Sequence, residues 1–304
     1  MARNVRGSSV MTCRHALVVL SVSTLLAQEL PVTTFRSDSN LVSLNVSVFD
    51  QQGRVVKGLP RSAFTVFEDN QKQEIKVFSQ EDVPISLGLV IDTSASMANK
   101  RERVNSAALA MVKASNPDDE VFVISFSDEA VVTQGFTSDV KQLEASLRGM
   151  GSKGETAMRD ALSLGLEYLR AHSQKDKKVL LVITDGEDNS SIQKQENLVR
   201  AAHLNNAILY GIGILGSEEP ASAQRARASL EALTLATGGR SWFPNNVAEI
   251  ASITPEIAHE IRNQYVIGYN PENTASTAFR SVRVEVNVPN VTVRTRSGYY
   301  PRGR

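Results

Sequence analysis

The apolar positions of this chain change period along its length, and the changes divide it into parts. Val42, Leu44, Val46 and Val48 alternate with Ser43, Asn45 and Ser47, the period of two of a strand with one buried face. Gln51, Gln52 and Gly53 read as a turn, and 54–56 as a return strand completing a hairpin. The same arrangement recurs with 64–67, a polar Glu68-Asp69-Asn70 turn and 75–78. Turn geometry alone accounts for Asp69 and Asn70. Short strands with polar outer faces predict part of a β-sandwich-like domain.

From Ile85 the alternation disappears. Ile85, Leu87, Leu89, Val90 and Ile91 form a largely apolar run that stops abruptly at Asp92. The stretches 120–126, 179–184 and 208–215 are apolar in the same way, as strands of a parallel sheet are when both faces are covered. Between them the spacing is helical. Val104, Ala108, Met111 and Val112 predict a helix over 99–115, stopped by Asn116-Pro117, and Leu143 and Leu147 mark a second. Ala161, Leu164, Gly165 and Tyr168 share one face of a third helix, opened by Thr156. Further helices are expected at 192–205, 222–236 and 247–263, with a short edge strand at 130–135 and another at 240–243. This order predicts an α/β fold with a doubly wound, mostly parallel sheet. After Gln264 the period of two returns in Val282, Val284, Val286 and Val288. Residues 41–80 and 265–300 are therefore expected to pair into one β-domain, because two separate small sheets would each have too little core. The expected division is 1–27, a signal peptide; 28–83, an N-terminal β segment; 84–264, the inserted α/β domain; and 265–304, a C-terminal β segment.

The chemistry is concentrated where strands end. Asp92, Ser94 and Ser96 carry oxygens at i, i+2 and i+4, Thr156 follows a loop with three glycines in 149–154, and Asp185-Gly186 ends the strand 179–184. Carboxylate and hydroxyl oxygens are hard ligands, and Mg²⁺ takes about six of them at roughly 2.1 Å. The competing reading of the serines and Thr156 is a capping or turn role. Open α/β sheets bind ligands beyond the carboxyl ends of their strands, where Asp92 and Asp185 fall. Asp160 is expected to be structural, Glu187 and Asp188 to be solvated.

In these residues the chain resembles the von Willebrand factor type A domains, which include the integrin inserted domains. Their metal-ion-dependent adhesion site reads D-x-S-x-S, then a Thr in a Gly-rich loop, then an Asp after a later strand. Asp92, Ser94, Ser96, Thr156 and Asp185 match all five positions, and the resemblance extends over 84–264. It implies a Rossmann-like domain that binds Mg²⁺, Mn²⁺ or Ca²⁺ and captures a protein partner through an acidic side chain completing the metal's coordination.

Composition narrows the setting. The 33 basic and 33 acidic residues cancel, which argues against a nucleic-acid binder. Arg3, Arg6 and Arg14 precede the twelve-residue apolar run 16–27, a pattern that reads as a signal peptide and is short for a membrane span. An uncleaved anchor is the competing reading. Cleavage after Ala27 would remove three Arg and no acid, leaving 30 basic and 33 acidic residues, a formal charge of −3. A secreted or periplasmic protein without cysteine is the expectation, since Cys13 lies in the removed segment. His15 lies there too, and His172, His203 and His259 read as solvated positions on or near helices.

Two alternatives to a metal-dependent interaction module stay open. One is a metal-assisted hydrolase, although the chain has no G-x-x-x-x-G-K-[ST], H-E-x-x-H or G-x-S-x-G motif. The other is a structural domain with an idle metal site, whose β-domain edges make the contacts. The favoured expectation is not an enzyme.

Overall fold

Four short strands come first: β1 (Val42–Phe49), β2 (Phe64–Glu68), β3 (Gln71–Gln73) and β4 (Ile75–Ser79). The computed structural model describes residues 41–113, 116–272 and 276–301, which fall within the compact unit Ser39–Arg304. The expected signal segment and the lead-in after it lie outside the described residues. The chain continues through β5 (Ile85–Asp92), α1 (Arg101–Lys113), β6 (Glu120–Phe126), β7 (Ala130–Thr137), α2 (Val140–Arg148), α3 (Met158–His172) and β8 (Lys177–Thr184). Next come α4 (Gln195–Asn205), β9 (Ala207–Gly213), α5 (Pro220–Thr237), β10 (Ser241–Trp242) and α6 (Ile250–Arg262). Strands β11 (Tyr265–Tyr269), β12 (Arg280–Val286), β13 (Thr292–Arg294) and β14 (Gly298–Tyr299) follow.

The central sheet has the order β10-β9-β8-β5-β6-β7 and is parallel except for its antiparallel edge strand β7. Every residue of β5 is buried, and the reason lies in the two helical layers. Leu87, Leu89, Ile91, Leu181 and Ile183 join an apolar cluster with Val104, Leu143 and Ile257 of α1, α2 and α6. Val90, Leu180 and Val182 join another with Leu166, Leu198 and Leu230 of α3, α4 and α5. With both faces apolar, the sequence has no cause to alternate. Gly88 belongs to the same packing, because a Cβ there would lie 2.4 Å from Leu180 and from the Phe122 ring.

Strand β5 is the point where the winding changes direction: the chain leaves it for β6 on one side and later returns to β8 on the other. The register sets Asp92 level with Phe126 of β6 and Ile91 level with Ile183 of β8. Thr184 and Asp185 therefore emerge beside Asp92 at the carboxyl edge, where such sheets bind ligands.

The outer strands form two antiparallel sheets, β13-β1-β11-β4 and β14-β12-β2-β3. Each mixes strands from before and after the α/β portion, with Val46 opposite Tyr265 and Val66 opposite Val284. Side chains of both sheets share one apolar cluster that includes Leu44, Val66, Ile267 and Val282. Glu68 is its polar centre: it accepts hydrogen bonds from Tyr269 at 2.7 Å, Tyr299 at 2.9 Å and Arg280 at 2.6 Å, all in buried positions. The ends of the α/β portion are tied together as well. Arg262 donates to Asp82 at 2.8 Å and to Asp119 at 2.9 Å, while Asp119 accepts the Ile85 amide at 2.8 Å.

Three local expectations fail. Strand 75–78 does not return against 64–67: β2 pairs with β3, while β4 crosses to the other outer sheet and pairs with β11. The return strand over 54–56 is a single bridge between Phe49 and Val55, because Gly58 turns the chain away with φ +73° and Pro60 follows. Helix α3 starts at Met158, with Ala157 at its N-cap and no capping side chain. Thr156 thus lies ahead of the helix and does not open it. Asp69 and Asn70 do form the β2–β3 turn, with φ of +46° and +65°.

Candidate metal centre

The Asp92 carboxylate, fully buried at the tip of β5, is held at both oxygens. Its Oδ1 accepts the Ser94 amide at 2.8 Å, closing the loop back on itself, and its Oδ2 accepts the Thr184 hydroxyl at 2.6 Å. Ser94 Oγ lies 3.1 Å from Ser96 Oγ, and Ser96 Oγ donates to Asp185 Oδ1 at 2.7 Å. One hydrogen-bonded network therefore joins Asp92, Ser94, Ser96 and Asp185 across 93 positions of sequence, from the ends of two neighbouring strands.

Backbone contacts bring in the third segment. The Thr93 amide binds Phe126 O at 2.7 Å, Lys153 N binds Thr93 O at 2.9 Å, and Ala95 N binds Gly154 O at 3.2 Å. Gly154 is required here: its φ is +80°, and a Cβ would lie 2.1 Å from Asp128 Oδ2. Asn189 then clamps the next residues, accepting the Thr156 amide at 3.0 Å and donating its own amide to Thr156 O at 3.1 Å. Buried Thr156 faces the Asp185 loop, its Oγ1 3.9 Å from where a Cβ on Gly186 would sit. All five oxygen-bearing residues thus converge at one corner of the sheet.

The electrostatics of this corner are demanding. Burial pushes the Asp92 carboxyl above its ordinary range, its hydrogen bonds from Thr184 and Ser94 pull it down, and the nearby Asp185 charge pushes it up again. Asp185 is also fully buried, and its Oδ2 meets the Lys100 ammonium at 2.5 Å. Two carboxylates and three hydroxyls offer only hard oxygens, and a small divalent cation between the acids would relieve their repulsion. The donor set fits Mg²⁺ or Mn²⁺. It leans on hydroxyls: among the described residues, no three His, Cys, Asp or Glu side chains gather as a metal cluster.

Neighbouring acids have other duties. Asp160 accepts the amides of Ile192 and Gln193, a structural role as expected. Asp188 is not solvated: its side chain is buried, accepts the Arg159 amide at 2.8 Å and pairs with the Arg159 guanidinium. Glu187 pairs with Arg225 at 2.8 Å. His203 also departs from expectation, since it is buried with Nε2 2.8 Å from Ala236 O, and burial pushes its pKa down. A cavity of about 60 Å³ adjoins the site between Thr184, Gly186 and Leu215. A larger one of about 500 Å³ is lined by Phe49, Arg240, Trp242 and Glu260 and shares none of the five residues.

The parallel α/β sheet with an oxygen-rich corner at its switch point is similar to that of von Willebrand factor type A domains. In support of that class, residues 87–187 match the family model of the von Willebrand factor type A domain. A von Willebrand factor type A protein from Catenulispora acidiphila has the same fold, with a TM-score of 0.53 at 13% identity, covering 88% of this chain and 75% of that one. Proximal thread matrix protein 1 from the mussel byssus, in a form with a zinc-occupied MIDAS motif, gives 0.51 at 16% identity over 64% of this chain and 49% of its own. An uncharacterised protein of Synechocystis sp. is 28% identical over 109 residues, 35% of this chain. The chain spans 26% of the length of that relative.

Proposed function

We propose that this chain is an exported, metal-dependent protein-interaction module in which Asp92, Ser94, Ser96, Thr156 and Asp185 hold a divalent cation. Mg²⁺ or Mn²⁺ suits the donor set, and Ca²⁺ is the larger alternative. Two carboxylates balance the charge of the ion, but the three neutral hydroxyls are weak donors and a sixth position is left to water, which a carboxylate from a partner protein replaces. The reading rests above all on the hydrogen bond from Ser96 to Asp185, which closes the network between the two strand ends. Domains of this family are typically interaction modules rather than enzymes. The mussel protein of the same fold carries zinc in its motif. The two outer sheets serve as a β-sandwich-like flank that supports the α/β portion. The apolar run 16–27 directs secretion or export to the periplasm, and among the described residues no helix is long and apolar enough to cross a membrane.

Titration of purified protein with Mg²⁺ and Mn²⁺, followed by pull-down from the source organism with and without EDTA, tests the proposal. Asp92→Ala and Ser94→Ala should abolish cation binding and partner capture together. Capture undiminished by EDTA or by either substitution would overturn it.

A further inference from the structure

Lys100 was silent in the sequence, where it is one basic residue among several near the start of α1. In the structure its ammonium lies 2.5 Å from Asp185 Oδ2, on a carboxylate that is itself fully buried, while the lysine side chain keeps 17% of its surface exposed. Its backbone anchors the Asp92 loop to α1: the Lys100 amide donates to Met97 O at 2.9 Å, and Lys100 O accepts the Val104 amide at 3.1 Å. Met97 is fully buried, so the lysine stem starts from a fixed point. The opposite oxygen of Asp185 holds Ser96. Both oxygens of one expected cation ligand are therefore engaged from the Asp92 loop, one by a neutral donor and one by a full positive charge.

We infer that Lys100 is a tethered counter-cation that competes with the divalent ion for Asp185, so that loading the site requires the lysine to withdraw. This rests on the reading of the five residues as a cation site and adds to it a residue that sets its affinity. The chemistry is that of two cations and one carboxylate. In the ion-free protein the ammonium offsets the charge of Asp185, buried close to Asp92. When a divalent ion binds between the acids, an ammonium within hydrogen-bond distance of the same carboxylate repels it, and at this separation the repulsion costs more than a factor of ten in affinity unless the lysine moves. Lys100 has a way out: it is partly exposed, and a long flexible stem carries its charge into water readily. The ion-free fold is thereby protected from its own buried acids, at the expense of cation affinity.

The test compares wild-type protein with Lys100→Met, Lys100→Gln and the charge-keeping Lys100→Arg. Mn²⁺ and Mg²⁺ binding is measured by calorimetry, and urea unfolding is followed in EDTA. The neutral variants should bind Mn²⁺ about tenfold more tightly than wild type or better, and should unfold at lower urea in EDTA. Lys100→Arg should stay near wild type in both. A readout without substitution is acetylation of the wild-type lysine by a water-soluble ester, read by mass spectrometry, which should be slow in EDTA and faster with Mn²⁺. Equal Mn²⁺ affinity in wild type and both neutral variants, with acetylation unchanged by Mn²⁺, would overturn the role of Lys100 and leave the cation site standing. No Mn²⁺ or Mg²⁺ binding by wild type or any variant would overturn the cation site and this inference with it.

Discussion

Replacing Asp92 by Asn should make the ion-free protein more stable while removing its response to cations. Asp92 is fully buried, and both burial and the neighbouring Asp185 charge oppose its ionisation. Asparagine preserves the shape: its carbonyl oxygen still accepts the Ser94 amide, and its NH₂ donates to the Thr184 hydroxyl, which can accept as well as donate. The Lys100–Asp185 pair is left in place. Replacing a buried ion pair by neutral groups of similar volume is often neutral or stabilising by about 1–4 kcal/mol, and removing the opposed charge of Asp92 is expected to fall inside that range, at about 1–3 kcal/mol. For a domain of this size that is a melting point higher by roughly 3–10 °C in EDTA. With cation at a hundred times its Kd, wild type should gain about 2.7 kcal/mol and close the gap, whereas Asp92→Asn should gain little. Thermal and urea unfolding of both proteins, with EDTA and with Mn²⁺, gives the four numbers needed. If Asp92→Asn is the less stable protein in EDTA, or if Mn²⁺ stabilises both equally, the account of this corner as a strained pair of acids awaiting a cation is wrong.

Thr156→Ala should weaken Mn²⁺ binding while costing no more than about 1 kcal/mol of stability in EDTA, because α3 takes no cap from its hydroxyl; a much larger loss of stability would return Thr156 to a structural role. Glu260 is buried, and burial raises its pKa from 4.5 to about 7 against the pull of Arg240 and Arg294. The folded state therefore keeps a proton that the unfolded chain gives up, and stability should fall as pH rises from 4.5 to about 7, by roughly 3 kcal/mol in all. Urea midpoints across that range should flatten in Glu260→Gln, and parallel curves for the two proteins would refute the assignment. Glu68→Gln leaves the Arg280 guanidinium buried without its counter-charge and should cost about 3 kcal/mol or more, measured by urea unfolding; a cost below about 1 kcal/mol would mean that the pair is effectively solvated.

The parts of the fold that could be read in the sequence are those where burial leaves a period. The two-sided burial of β5 and β8 shows as largely apolar runs, and the one-sided burial of β12 and of the first half of β1 as alternation. The bridge at Val55 shows the limit of that signal, since an apolar pair beside a turn looks like a strand whether or not the backbone stays alongside its neighbour. At the site, the oxygen donors were visible because their residue types suit one chemistry and their spacing puts them at strand ends. Lys100, Thr184 and Asn189 were not, because each acts through a contact with a distant segment: Asp185, Asp92 and the Thr156 backbone respectively. A lysine at a helix start, a threonine ending a strand and an asparagine in a loop have ordinary local explanations. Asp188 and His203 misled for the same reason, as their burial is decided by Arg159 and Ala236, far away in the chain.

The interleaving of the outer sheets dictates an order of assembly. Strands β1 to β4 leave the ribosome before the α/β portion, yet β1 and β2 find their neighbours β11 and β12 only after that portion has been made; Gln264 reaches back across 217 positions to hydrogen-bond Ser47. The central unit shortens that journey. Once it has folded, Arg262 at its exit lies against Asp82 at its entrance, and a search across a long flexible segment becomes a docking of two adjacent ends. A polypeptide interrupted anywhere before residue 265 would carry an orphaned half-sheet with open backbone edges, the kind of surface on which copies of a chain adhere to each other.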